Sequence, residues 1–221
     1  MDNLYSINQS HGIFWENEIK NKVFQLPINK NDNRKYDIEA HENIFNQNEN
    51  ISIKTSGKNK IDCGDIIRFY DDSNFNKKYT IIVILYKQND LHKEFKKIIE
   101  INYDIIMRNF LFGTISNNDI NQYVSLVKNI PHGNISNSIK LEYLSKKKNL
   151  QIEHQMFIKI SPKVDSNKQR RVQCSINNLD ELLLKFPQNI IYMSESPIVR
   201  NINITEKIYS PPRLRNPKVK I

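Results

Sequence analysis

The stretch YTIIVILYKQ at residues 79–88 gives the strongest strand signal in the chain. Its length and its content of β-branched residues favour a strand over a helix, because helices usually need longer runs. An almost unbroken apolar run is also typical of a strand that is covered on both faces. Residues 79–88 therefore predict a central strand of an α/β sheet.

A strand of a different kind precedes it at residues 49–57, ENISIKTSG. Ile51 and Ile53 alternate there with Ser52 and Lys54, which is the period of a half-buried strand. Residues i and i+2 share a face, so Ser52 and Lys54 are expected to point together. Since lysine is a poor strand former, this polar face is either solvated or part of a working site.

The rest of the chain predicts further helices and strands and no internal repeat. Helices are expected at residues 11–25, 64–72, 117–129, 136–147 and 178–186, and extended segments at 36–40, 95–106, 155–164, 169–176 and 189–194. The prolines of the tail SPPRLRNPKVKI preclude regular structure there. The pattern indicates an α/β fold with a central mixed sheet flanked by helices, followed by a C-terminal α+β region.

Composition excludes several classes of protein. A chain of 221 residues with 38% hydrophobic residues can build a core, and no apolar run approaches the roughly 18 to 20 residues that span a bilayer. The first residues lack the basic and apolar parts of a signal peptide, and two cysteines are too few for a disulfide scaffold. We therefore expect an intracellular protein without a membrane partner.

The charge balance is strongly basic. Lysine and arginine number 33 against 24 aspartates and glutamates, which gives a net charge of +9 and a pI near 9.4. Such a charge favours a polyanionic partner, nucleic acid above all. The alternative is a coding bias, because the chain has 31 asparagines and only 5 glycines.

Acidic residues precede Lys54 in an order that suits phosphodiester hydrolysis. The first helix carries Glu16 and Glu18, and the next extended segment carries Asp37 and Glu39. Carboxylates can hold a divalent cation that lowers the pKa of bound water, and oxygen ligands favour Mg²⁺. A lysine beside that cation can orient the water and offset negative charge in the transition state.

This order resembles the PD-(D/E)XK nuclease superfamily, specifically type II restriction endonucleases, over about residues 10–90. The segment HGIFWENEIKNKVF is similar to the first core helix, Asp37 in KYDIEA to the acid of the PD half, and Ser52-Ile53-Lys54 to the (D/E)XK half. The 17 residues from Asp37 to Lys54 suit a hairpin of two core strands. The chain departs from the pattern at Tyr36, where proline is usual, and at Ser52, where an acid is usual.

The resemblance implies a metal-dependent endonuclease that cuts double-stranded DNA and leaves a 5′-phosphate. Asp37 and Glu16 would hold Mg²⁺, for which Mn²⁺ could substitute, Lys54 would orient water, and Ser52 would stand in the position of the second acid. Many such enzymes are homodimers that match palindromic sites. A non-catalytic DNA-binding protein with the same fold, and a junction resolvase or repair nuclease, are the alternatives.

The implied single endonuclease domain covers residues 1–221. It divides into a catalytic core at about 10–105, a helical and hairpin region at about 106–208 and a basic tail at 209–221. Four positively charged residues of the tail suit a flexible arm along phosphates, namely Arg213, Arg215, Lys218 and Lys220.

Each candidate also has a purely structural interpretation. Lys54 could be a solvated strand lysine, and Asp37 could cap a turn. Asp65 precedes an apolar run and is expected to cap a helix. Lys87 and Gln88, at the end of the central strand, could border the site.

A basic hairpin is predicted within SPKVDSNKQRRVQCSI. A two-stranded ribbon fits the major groove, where lysine and arginine donate to guanine and glutamine pairs with adenine. The residues expected to contact DNA are Lys163, Lys168, Gln169, Arg170, Arg171 and Gln173. The alternative is a solvated turn, and phosphate contact is expected more often than base contact for any one lysine.

Overall fold

The computed structural model describes residues 10–28, 34–164 and 169–211. Its α-helices are α1 (Ser10–Glu18), α2 (Ile66–Tyr70), α3 (Ile105–Phe112), α4 (Asn117–Lys128), α5 (Asn137–Glu153) and α6 (Leu179–Lys185). Its strands are β1 (Glu49–Ser56), β2 (Ile61–Asp65), β3 (Lys78–Asn89), β4 (His92–Asn102), β5 (Lys159–Val164), β6 (Arg170–Ile176), β7 (Ile190–Ser194), β8 (Ile198–Val199), β9 (Ile202–Asn203) and β10 (Lys207–Tyr209).

A mixed sheet of five strands forms the centre of the protein, with the order β1-β3-β4-β10 and β7 also paired to β4. β1 runs parallel to β3, with Lys54 opposite Val83, and β3 runs antiparallel to β4. The apolar run of β3 is thus central, as its sequence predicts. β1 lies at the edge, where an isolated bridge joins Ile38 to Ile51.

Two apolar layers cover the sheet. On one face, α1 and the π-helical turn Ile19–Val23 that continues it bury Trp15 and Ile19 against residues such as Ile53 and Ile82. On the other face, Ile81 and Val83 pack towards the remaining helices. The protein is therefore an α/β fold with a mixed central sheet flanked by helices.

A second, smaller sheet with the order β2-β6-β5 packs within the layer on the second face. Asp65 at the end of β2 pairs with Gln173 of β6, and β6 continues past this pair towards the β5–β6 turn. The β5–β6 hairpin therefore extends beyond the end of β2.

Some local predictions were wrong. Gly64 and Asp65 belong to β2 rather than to a helix, and residues 36–40 make only the Ile38 bridge before a 3₁₀ turn at Ala40–Glu42. β8, β9 and β10 were not predicted, because they are too short to show a periodicity. β7 and β10 pair with β4, so the central sheet includes strands that follow residue 105, where the catalytic core was expected to end.

The helices of the described ranges include none with the length and apolar character to cross a bilayer.

Candidate active site

The open edge of β1 brings Asp37 and Lys54 together. The Ile53 amide faces away from β3 and donates a hydrogen bond of 2.6 Å to Asp37 Oδ2. Lys54 Nζ lies 3.6 Å from the same oxygen. The carboxylate thus takes the place that a neighbouring strand would fill, and Asp37 Oδ1 makes no hydrogen bond to the described residues.

Glu16 approaches this pair from the sheet face covered by α1. Trp15 and Ile19 on either side of it are completely buried, which fixes the helix against the sheet. Burial raises the pKa of the Glu16 carboxyl, and the charge of Asp37 raises it further, while Lys20 and Lys54 oppose the rise. Glu16 therefore lies within the electrostatic reach of both predicted site residues.

Lys20 is the closest partner of Glu16. Lys20 is the second residue of the π-helical turn and is only 5% exposed. Its Nζ donates a hydrogen bond of 3.0 Å to Glu16 Oε1. Such π-helical turns occur frequently at functional sites. Glu16 Oε2 makes no hydrogen bond to the described residues, so one oxygen of this carboxylate is held and the other is open.

Glu18 has a separate structural task. Its carboxylate accepts hydrogen bonds from the amide and the hydroxyl of Thr205, at 3.0 and 2.8 Å, and lies 3.8 Å from Lys22 Nζ. It therefore ties α1 to the segment that leads into β10. Of the two helix glutamates, Glu16 is the one directed at Asp37.

Ser52 is buried rather than displayed. It is 3% exposed, and its hydroxyl accepts a hydrogen bond of 3.0 Å from the Tyr79 hydroxyl. Burial raises the pKa of Tyr79, so the phenol keeps the proton that it donates. The position where the resemblance expects an acid is thus a neutral, satisfied pair.

A cleft of about 180 Å³ opens at this edge of β1, and we call it the edge cleft. Asp37, Ser52 and Lys54 line one side of it, and Asp65 at the end of β2 lines another. Asp65 also caps α2 by accepting from the Arg68 amide at 3.1 Å, as its sequence position predicts. The cleft joins the two sheets at the level of the candidate residues.

The donor set suits a cation that keeps most of its water. Among the described residues, no group of three or more histidine, cysteine, aspartate or glutamate side chains could enclose a metal ion. Mg²⁺, however, is typically held by one or two carboxylates and several waters. Asp37 offers one free oxygen at the edge cleft, and Glu16 offers another within electrostatic reach of Asp37 without lining the cleft. A closed structural metal site is not what they form.

Sequence reasoning missed three positively charged residues that line the edge cleft, namely Arg34, Lys35 and Arg68. Arg34 pairs with Glu42, and Lys35 Nζ lies 2.7 Å from Asp71 Oδ2. The hydrogen bond and charge of Lys35, with the Ser73 contacts, lower the pKa of Asp71 to about 2. Arg34 and Lys35 lie three and two positions before Asp37, and that adjacency is the sequence signal that could have found them.

The predicted DNA-contacting residues divide into two groups. Arg171 is exposed, Lys163 lies opposite it in the hairpin, and Gln173 lies opposite Asp65 of the edge cleft. Arg170 donates instead to the carbonyls of Ile130 at 2.8 Å and of Pro131. Those contacts give Arg170 a role in joining the hairpin to the α4–α5 connection.

The other predicted residues lie apart from the edge cleft. Gln169 directly precedes β6, and Lys168 and the four positively charged residues of the tail lie outside the described residues. Gln88 donates to three carbonyls of the β3–β4 turn and the C-terminal segment, and neither it nor Lys87 lines the cleft.

No protein-family description, curated protein sequence or solved structure matches this chain. The interpretation of the site therefore depends on its own geometry and chemistry.

Proposed function

We propose that the protein is a metal-dependent endonuclease that cuts double-stranded DNA. The observation that carries the proposal is the meeting of Asp37 and Lys54, 3.6 Å apart at the open edge of β1, with one oxygen of Asp37 free and with Glu16 within electrostatic reach of both. These are the residues that phosphodiester hydrolysis requires, and three separate segments of the chain supply them. The net charge of +9 suits the polyanionic substrate.

In the proposed mechanism, Asp37 and Glu16 hold a divalent cation, Mg²⁺ or Mn²⁺, through their free oxygens. When bound, that cation polarises the phosphoryl group and lowers the pKa of water. The Ile53 amide fixes the orientation of the Asp37 carboxylate, and Lys20 fixes that of Glu16. Lys54 orients the attacking water and stabilises negative charge on the phosphoryl oxygens.

The order of elements supports a restriction-endonuclease-like core. A glutamate helix, a short extended segment with Asp37, the β1 strand with Lys54, the α2 helix and the central β3 strand follow one another along the chain. Asp37 and Lys54 meet through the Ile38–Ile51 bridge, which replaces the predicted full hairpin. Ser52 is the departure, and Glu16 would supply the charge that Ser52 lacks.

The hairpin would place duplex DNA over the edge cleft. Gln173 pairs with Asp65 on the wall of the cleft, and the strands β5 and β6 continue from there towards Lys163 and Arg171. A ribbon that leaves the cleft in this way can lie in the major groove while the phosphate backbone reaches Lys54. Arg171 and Lys163 are then the contacts most exposed to DNA.

One observation favours a second candidate, a non-catalytic DNA-binding protein with the same fold. Ser52 is buried and accepts a hydrogen bond from Tyr79, so β1 packs stably without a second carboxylate at this position. A binder would need the basic cleft and hairpin but not the free oxygens of Asp37 and Glu16.

The experiment that separates the two candidates is cleavage of plasmid and phage DNA by wild type and by Asp37→Asn, with Mg²⁺ and with EDTA. An endonuclease gives fragments only with Mg²⁺, and Asp37→Asn removes cleavage while duplex binding in EDTA persists. Intact DNA with Mg²⁺ and with Mn²⁺, on unmethylated DNA that the protein binds, would overturn the endonuclease and leave the binder.

A further inference from the structure

The edge cleft is one end of a longer groove. A second depression of about 250 Å³, the middle depression, shares Lys35 and Tyr36 with the edge cleft. A third and larger one of about 690 Å³, the wide cleft, shares Asn76 and Lys77 with the middle depression. The shared lining residues make the three depressions neighbours along the protein surface, and we refer to them together as the groove.

Away from the edge cleft, the lining of the groove mixes polar and apolar side chains and carries three lysines against two acids. The apolar part belongs mainly to the wide cleft, where Phe75, Tyr103, Ile105 and Ile191 lie beside the polar residues. The middle depression is lined by Lys35, Lys77 and His41 against one acid, Glu39. The wide cleft adds Lys78, Asp104 and several side-chain amides, namely those of Asn48, Asn76, Asn102 and Gln188. Amides and lysines are suited to phosphate and sugar oxygens, which form the larger share of protein contacts with DNA.

Lys77 is the lysine of the groove that pairs with no other described residue. It is exposed and lines both the middle depression and the wide cleft. Lys35 and Lys78 are paired with Asp71 and Glu49 respectively. Lys77, by contrast, has no hydrogen bond or ion pair to any residue that the structure describes.

We propose that this groove binds the phosphate backbone of the DNA substrate to one side of the scissile phosphate, with Lys77 as a phosphate contact. The proposal rests on the proposed function and names the path of its substrate. It concerns a surface separate from the β5–β6 hairpin, so the duplex would be held on two sides of the edge cleft.

The length of the groove sets the length of DNA that it can hold. Lys54 lies opposite Val83, and Lys78 at the wide cleft precedes Val83 by five residues of β3. Five residues of a strand span about 17 Å. Since neighbouring phosphates of one strand are about 3.4 Å apart along the duplex axis, the groove accommodates about five nucleotide steps.

The test is duplex binding in EDTA, where no cleavage occurs, measured by fluorescence polarisation over a range of salt concentrations. The probe is a fluorescein-labelled duplex of 24 base pairs. Lys77→Ala is compared with wild type and with Lys148→Ala, a matched exposed lysine on α5, which packs against α4 and β5. Loss of one phosphate contact is expected to reduce the slope of log K against log salt by about 0.9.

We expect Lys77→Ala to weaken binding and lower this slope, and Lys148→Ala to match wild type. Equal binding and equal slopes in all three proteins would overturn the proposal. So would a Lys77 effect on a labelled polyglutamate peptide without one on DNA, which would assign the groove to an acidic protein partner. A Lys77 effect on duplex binding in a protein that never cleaves would leave the groove standing and refute the endonuclease alone.

Discussion

The two ends of β1 carry two clusters of charged residues with opposite properties. At its first residue, Glu49 is completely buried and accepts from Arg200 at 3.0 Å and from the Thr80 hydroxyl at 2.5 Å. Arg200 also lies 2.9 Å from Glu100, which is 2% exposed. Towards its last residues, Lys54 and Asp37 are partly exposed and 3.6 Å apart.

The first cluster is buried and ion-paired, although Arg200 Nε has no hydrogen-bond partner among the described residues, whereas the second is left open. Burial raises the pKa of Glu49, but the Thr80 hydrogen bond and the charges of Arg200 and Lys78 outweigh it and lower the pKa overall. At the other end, burial of Glu16 is not fully offset, and its pKa is raised. Burial also raises the pKa of Glu100 in the first cluster, so the two clusters differ in exposure and pairing rather than in the pKa of every acid. Burial with ion pairing marks the first cluster as structural, and the unused oxygen of Asp37 beside the edge cleft marks the second as a site for a ligand.

The largest expected effect is on stability at the closed end. Arg200→Met leaves Glu49 and Glu100 without their shared cation, and removing one partner of a buried pair costs about 3–5 kcal/mol. The free energy of unfolding from urea denaturation checks this. Lys207→Met, which breaks an exposed pair with Glu94, should cost less than about 1 kcal/mol, and equal losses in the two variants would refute the distinction.

The next effect is on catalysis at the open end. Lys54→Met removes the cation that stabilises the phosphoryl oxygens, and removing one such group typically lowers the cleavage rate by about 10²–10³-fold. Single-turnover cleavage with Mg²⁺ measures it. Lys58→Met, on the exposed turn that follows β1, is the matched control, and an equal rate in Lys54→Met and Lys58→Met would remove Lys54 from the mechanism.

A smaller effect is expected from Ser52, which lies between the two ends. Ser52→Ala removes the acceptor of the buried Tyr79 hydroxyl, and an unsatisfied buried group costs about 1–3 kcal/mol. The stability change is measured by thermal and urea unfolding, with the exposed Ser145→Ala as control. A catalytic rather than a packing role for Ser52 would instead show as a lost cleavage rate at unchanged stability.

The smallest effect is the pH dependence of stability. Folding raises the pKa of Glu16, so the folded state holds the carboxyl proton more tightly than the unfolded state does. The stability of the wild type therefore falls as pH rises through the raised pKa. Glu16→Gln removes this term, so its stability relative to wild type should be greater at pH 7 than at pH 5. Urea unfolding at both pH values tests the sign, and an equal difference at the two would contradict the burial of this carboxylate.

How far the sequence predicts the structure depends on the range of the interactions. β1 and β3 follow from local patterns of apolar residues, and Asp65 was correctly expected to cap a helix. β2 was missed because its Gly64 and Asp65 were assigned to the helix that follows, and it becomes a strand only by pairing with β6. Short strands that depend on distant partners leave no local periodicity.

The same limit applies to the charged residues. Asp37, Lys54 and Glu16 could be placed together from their order along the chain. The structure brings Asp37 and Lys54 within 3.6 Å and leaves Glu16 within electrostatic reach of both. The pairing of Lys20 with Glu16 has the i, i+4 spacing of an ordinary helix, whereas no pattern indicates the π-helical turn that begins at Ile19. Arg200 reaches Glu49 across 151 positions of the chain, so the closed cluster could only be found in the folded protein.

The most direct test of the account is binding of Mn²⁺, followed by electron paramagnetic resonance, to wild type, Asp37→Asn and Glu49→Gln. We predict that wild type binds Mn²⁺, that Asp37→Asn loses this binding, and that folded Glu49→Gln retains it, because of the two ends of β1 the open one has a free carboxylate oxygen to offer. Equal Mn²⁺ binding by wild type and Asp37→Asn, or none by wild type with DNA present, would contradict a metal-dependent site at the edge of β1.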